Sequence, residues 1–160
     1  MSHARAGRTV VLGLGNPVVS DDRVGLAVAE ELLRLLAGRP LDGVDVQFST
    51  RGGFELIDLL SGYARAILVD CVMVPAPVPG RVRELKLDNV AGSARLVGAH
   101  ELCVGDAFAF ARRMGIPMPD EVTILGVEGG EMALISEEMT APVAAAVRPL
   151  AERIYRMLDG

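Results

Sequence analysis

Apolar positions along this chain alternate between the two-residue period of a strand and the spacing of a helix, which lays out an α/β chain. Thr9 to Leu14 is a β-branched apolar run and predicts the first strand. Val24, Val28, Leu32 and Leu35 then recur at helical spacing with Glu30, Glu31 and Arg34 between them, and Gly38 and Pro40 end that helix. Val44-Asp45-Val46-Gln47-Phe48 alternates and predicts a second strand, followed by a polar, flexible loop (Ser49 to Gly53) and a short helix from Phe54 to Leu60.

Ala66 to Val72 is a continuous apolar run of the kind buried in a parallel sheet, and it carries one carboxylate, Asp70. Pro75, Pro77, Pro79 and Gly80 predict a stiff connection to a half-exposed edge strand at Val82 to Leu87. Asp88 to Ala99 reads as irregular. From Leu102 the spacing of Val104, Phe108 and Ala111 predicts a helix closed by Gly115 and Pro117, and Val122 to Val127 is the last strand. An acidic loop, Glu128 to Glu138, leads to a final helix opened by Thr140 and Pro142, with a buried face of Val143, Val147, Leu150, Ile154 and Leu158. Pro149 is expected to kink or divide that helix, and Glu152 and Arg156 are spaced to pair on its outer face. Nothing repeats and no second domain is indicated, so residues 1–160 read as one domain with residues 1–8 flexible.

Composition narrows the picture. A chain of 160 residues can bury a substantial core, and with 51% hydrophobic residues, no Trp and 4% aromatics that core is aliphatic. A net charge of -5 argues against a nucleic-acid partner, which needs a basic face. No segment approaches the roughly 20 apolar residues of a membrane span, and the apolar run after the first arginines is too short for a signal peptide. A cytoplasmic protein with no membrane partner is expected. Cys71 and Cys103 lack CxxC spacing and are expected to be reduced and buried.

The candidate chemistry lies where strands hand over to helices, since ligands of open α/β sheets bind outside the carboxyl ends of the strands. Asp21 and Asp22 follow the first strand. One of them suffices as a helix N-cap, which leaves the other open to a functional role. Asp70 stands near the carboxyl end of its strand and needs either a cation or backbone amides to compensate its burial. Of the two histidines, His3 lies at the terminus, whereas His100 precedes a helix. If Asp22, Asp70 and His100 converge, two carboxylates and an imidazole suit a divalent ion such as nickel, zinc, cobalt or manganese. Other motifs are missing: Val18 stands where the third glycine of a dinucleotide fingerprint belongs, and there is no Walker lysine, Gly-x-Ser-x-Gly elbow or His-Glu-x-x-His.

Gly13-Leu14-Gly15-Asn16-Pro17, then Ser20-Asp21-Asp22-Arg23-Val24-Gly25, Leu68-Val69-Asp70 and Ala99-His100-Glu101-Leu102 together resemble the hydrogenase maturation endopeptidases of nickel-iron hydrogenases. The likeness runs from Val10 to the last helix. It implies a twisted, mostly parallel five-stranded sheet sandwiched between helices, of the phosphorylase/hydrolase-like kind. It also implies an endopeptidase, here a monomer, whose partner is the precursor of a hydrogenase large subunit, and which removes a C-terminal extension after nickel insertion. Asp22, Asp70 and His100 match the family's metal ligands and catalytic positions. The nickel is expected to come with the substrate, and another divalent ion such as zinc or cadmium is expected to be able to occupy the site. Two departures stand out: Arg23 where the family often has Gly, and Phe48 to Gly53 in place of an Asp-Gly-Gly-Thr-x-Gly-like stretch. Within that stretch Arg51 is suited either to clasp a substrate carboxylate or to sit in solvent, and Gly52 and Gly53 either to admit a peptide or to form a turn. Two alternatives are a peptidyl-tRNA hydrolase-like esterase, whose resemblance stops at Pro17, and a non-enzymatic metal-binding module.

Overall fold

The computed structural model describes residues 5–50, 53–87, 104–131 and 133–160. Five strands form one sheet: β1 (Thr9–Leu14), β2 (Val44–Ser49), β3 (Arg65–Val72), β4 (Val82–Lys86) and β5 (Glu121–Glu128). Among the described residues four α-helices accompany them: α1 (Val24–Gly38), α2 (Glu55–Leu60), α3 (Val104–Arg113) and α4 (Ala141–Asp159). The strand order is β2-β1-β3-β5-β4, parallel except for the antiparallel edge strand β4. The expected single α/β layer sandwich is therefore what the chain forms.

Alternation along the inner strands sorts their side chains into two cores. Val10, Leu12 and Leu14 of β1 and Ala66 and Leu68 of β3 pack under α2 and α3 with Leu56, Leu60, Ala107 and Phe108. Val11, Ile67, Val69 and Cys71 face the other way, under α1 and α4 with Val28, Leu32, Leu150 and Ile154. Both layers are aliphatic, so inner strands buried on both faces read as unbroken apolar runs.

The order places a switch between β1 and β3. The connection after β1 leaves toward β2, while β3 continues toward β5, and this opens a crevice at the carboxyl ends of the two neighbours. The acidic residues of interest hang from those two ends.

Several expectations change. Helix α4 runs unbroken through Pro149. Pro149 and Ala145, whose carbonyl loses its usual donor, are both exposed, so water serves the freed carbonyl. Glu152 pairs with Arg148, one turn earlier, at 3.2 Å, and not with Arg156. Val147 and Leu158 are only half-buried on the inner face. Glu128 is the buried last residue of β5, not the start of a loop. Near the N-terminus, Arg5 donates to the Asp58 and Ser61 carbonyls and Arg8 binds Asp45 at 2.6 Å. No helix among the described residues is long and apolar enough to cross a membrane.

Candidate active site

The site begins with two glycines that let a helix lie directly on the sheet. A Cβ on Gly13 would stand 2.5 Å from the Gly25 carbonyl oxygen, and one on Gly25 would stand 2.2 Å from the Leu14 carbonyl oxygen and 2.3 Å from that of Val69. Only bare backbone fits at that crossing, so the start of α1 rests on the ends of both β1 and β3. Gly15 serves the next turn: a Cβ there would lie 2.2 Å from the Asp22 carbonyl oxygen, which accepts the Asn16 N–H at 3.2 Å. Asn16 Oδ1 accepts the Val18 N–H at 3.1 Å, an Asx turn that bends the chain back. The glycines expected at the start of a dinucleotide fingerprint thus serve helix–strand approach.

Ser20–Arg23 is a single 3-10 turn ahead of α1, and neither Asp21 nor Asp22 is an N-cap, since no side chain caps either helical segment. The two carboxylates diverge. Asp21 turns toward the β5–α4 connection, where it accepts the N–H groups of Gly130 (2.8 Å), Glu131 (2.8 Å) and Thr140 (2.7 Å) and the Thr140 hydroxyl. It is wholly buried, and charge-assisted bonds compensate that burial. Asp21 is thus a structural anchor.

Asp22 instead lies close enough to Asp70 for its charge to act on it. The 3-10 turn packs on β3, and both carboxylates are almost completely buried, at 4% and 3% exposure. Asp70 Oδ1 accepts the Cys71 N–H at 2.8 Å, the backbone compensation anticipated for it. That one bond is not enough: burial first, and the nearby Asp22 second, push the Asp70 carboxyl well above the ordinary carboxylate range. The Cys71 thiol is also pushed up, by burial and then by the same acids, and stays an inert thiol in the core. A carboxyl raised in this way by burial and a neighbouring acid, as Asp70 is, marks a candidate functional site.

His100 lies outside the described residues, as do Arg51, Gly52 and Cys103. Among the described residues no cluster of three or more His, Cys, Asp or Glu is placed to hold a metal ion. Asp22 and Asp70 are the two predicted site residues that the structure brings together. Arg23, the departure from the family pattern, donates to the Glu137 carbonyl and ties the 3-10 turn to the same connection that Asp21 grips.

Sequence reasoning missed Glu128. Its carboxylate is fully enclosed by the Val78 N–H (2.7 Å), Arg81 (3.0 Å) and Arg83. Burial alone would raise its pKa, but these donors outweigh that and lower it to about 2. The signal was present: like Asp70, it is an acid near the carboxyl end of an apolar strand.

The sheet, parallel but for its edge strand β4, thus carries two buried carboxylates, Asp22 and Asp70, at its switch point. The family model of hydrogenase maturation proteases (HycI) matches residues 42–157, and the chain belongs to this family of endopeptidase hydrolases. It is 26% identical over 154 residues to the hydrogenase 2 maturation protease of Escherichia coli K12, covering 94% of this chain and 90% of that one. Two solved structures share its fold. The hydrogenase maturating endopeptidase HybD of E. coli superposes with a TM-score of 0.79 at 24% identity, covering 95% of this chain and 92% of that one. The hydrogenase maturation protease HycI of Thermococcus kodakarensis KOD1 gives 0.75 at 20% identity, covering 99% and 97%.

Proposed function

We propose that this protein removes the C-terminal extension of the precursor of a nickel-iron hydrogenase large subunit once nickel has been inserted. The observation that carries the reading is the Asp22–Asp70 pair, two almost completely buried acids in which burial and the nearby Asp22 oppose the ionisation of Asp70. A site of that kind is incomplete without a positive partner. Nickel enters as part of the substrate, and Asp22 and Asp70 would hold it with His100 as the third ligand. When bound, it supplies the charge that keeps both acids ionised and polarises a peptide carbonyl. The chain's own residues do the rest. Gly13 and Gly25 fix the crossing that sets the two acids side by side, Asp21 and Arg23 fix the wall of the crevice, and an ionised aspartate in such a site serves as general base toward water.

Intact-mass spectrometry of the cognate nickel-loaded precursor, before and after incubation with this protein, tests the reading. Loss of a C-terminal peptide with nickel-loaded but not nickel-free precursor is the expected result. An unchanged mass, with folded protein and verified nickel, would overturn it in favour of a metal-binding module.

A further inference from the structure

Beside the acid pair lies a short two-stranded ribbon with an open edge. Val19 and Ile135 form an isolated antiparallel bridge. Its two hydrogen bonds come from the flanking residues: the Ser20 N–H donates to the Leu134 carbonyl at 3.1 Å, and the Ser136 N–H donates to the Val18 carbonyl at 3.0 Å. In an antiparallel pair bonded this way, the central residues' own N–H and C=O groups point away from each other. The Ile135 N–H and C=O therefore face outward, and among the described residues neither has a partner.

The segment is held rigid around that open position. Asp21 grips the Gly130 and Glu131 amides, Glu131 Oε1 accepts the Ala133 and Leu134 N–H groups, and the Ser20 hydroxyl and Arg23 donate to the Glu138 and Glu137 carbonyls. The ribbon is also apolar at its surface, with Ile135 83% exposed, Leu134 57% and Val18 47%. Val19 is only three residues, at most about 11 Å of chain, before Asp22, and Ile135 lies one strand spacing, about 4.5 Å, beyond Val19.

We infer that Ile135 is the edge to which the extended segment of the precursor next to the scissile bond adds as a third strand, its main chain bonding the Ile135 N–H and C=O and an apolar side chain covering Val18, Leu134 and Ile135. The inference rests on the proposed function and gives that site a way to hold its peptide. The occupant is argued from complementarity: a fixed, unpaired donor and acceptor on an extended residue match another extended backbone, and the surrounding side chains match an apolar one.

Two measurements test it, both with the full-length protein and nickel-loaded precursor. In single-turnover processing across a range of precursor concentrations, Ile135→Pro, which deletes the N–H and stays apolar, should raise the half-saturating concentration about tenfold and leave the rate at saturation within about twofold. Ile135→Asp should act in the same direction. Amide hydrogen exchange on the unmutated protein needs no variant to fold: the Ile135 amide should slow about tenfold or more when a precursor made uncleavable by proline after the scissile bond is added. Normal cleavage by the unmutated protein, with unshifted half-saturation in folded variants and unchanged exchange at Ile135, would overturn this inference and leave the proposed function standing. No cleavage by the unmutated protein at all would remove both.

Discussion

Two adjacent aspartates on one 3-10 turn have different surroundings, and the proposed function gives them different tasks that single substitutions should separate. Asp21→Ala strips a buried acceptor from three backbone N–H groups and a hydroxyl and should destabilise the fold by about 2–4 kcal/mol, read as a lower midpoint in urea. Asp22→Asn removes one of two repelling acids and keeps its shape, so thermal unfolding should show no loss of stability while precursor processing falls below detection. A Tm drop for Asp22→Asn matching that of Asp21→Ala would show that both are anchors. The acidic pair was legible in the sequence because two acids exceed what one helix cap requires. Local pattern did not tell the two acids apart, and only the family resemblance singled out Asp22, because Asp21's partners Gly130, Glu131 and Thr140 lie more than a hundred residues away, in a loop that local pattern leaves unplaced.

At the level of elements, the crossing of α1 over β1 and β3 decides whether the site exists. Gly25→Ala would drive a methyl into two carbonyl oxygens, those of Leu14 and Val69, and neither can rotate away without breaking its strand ladder. Overpacking of this kind costs about 1–3 kcal/mol. It should also lift the 3-10 turn off β3, so processing should fall even at temperatures where circular dichroism shows the variant folded. Gly38→Ala, where an added Cβ meets nothing within 4 Å, is the matched control and should leave both readouts unchanged. The strands themselves were legible almost to the residue, with β1 falling at Thr9–Leu14 as the apolar run requires, because strands buried on both faces admit little else. Helix continuity past Pro149 and the Arg148–Glu152 pair were not, since solvent exposure of the freed carbonyl and the reach of Arg148 to both Glu31 and Glu152 depend on tertiary placement.

Across the whole molecule, two buried acids with opposite shifts should shape stability against pH. Glu128 has a folded pKa of about 2, below its ordinary 4.5. The unfolded chain therefore binds more protons in that interval, so the stability Glu128 contributes is complete above about pH 4.5 and is lost as pH falls toward 2. Asp70 is raised from its ordinary 3.8, so the folded state is the one that holds the proton. Its contribution is most favourable in acid and is lost as pH rises from 3.8 through its elevated value. Together they predict a stability maximum on the acid side of neutrality, and two variants separate the limbs. Asp70→Asn keeps the acceptor for the Cys71 N–H and removes the charge, so its Tm should exceed that of the parent by about 2–4 °C at pH 7, the shift expected for about 1 kcal/mol in a chain of this size, and converge with it near pH 4. Glu128→Gln should be less stable than the parent above pH 4.5, where Arg81 and Arg83 lose their shared carboxylate, yet its Tm should fall less steeply between pH 4.5 and 2 than that of the parent, with Asp45, held low by Arg8, still contributing to the fall. Tm profiles of the three proteins from pH 2 to 8 decide the matter. Parallel acid limbs would show that Glu128 is not held ionised, and an Asp70→Asn curve that tracks the parent at neutral pH would show that the crevice does not oppose its own charge.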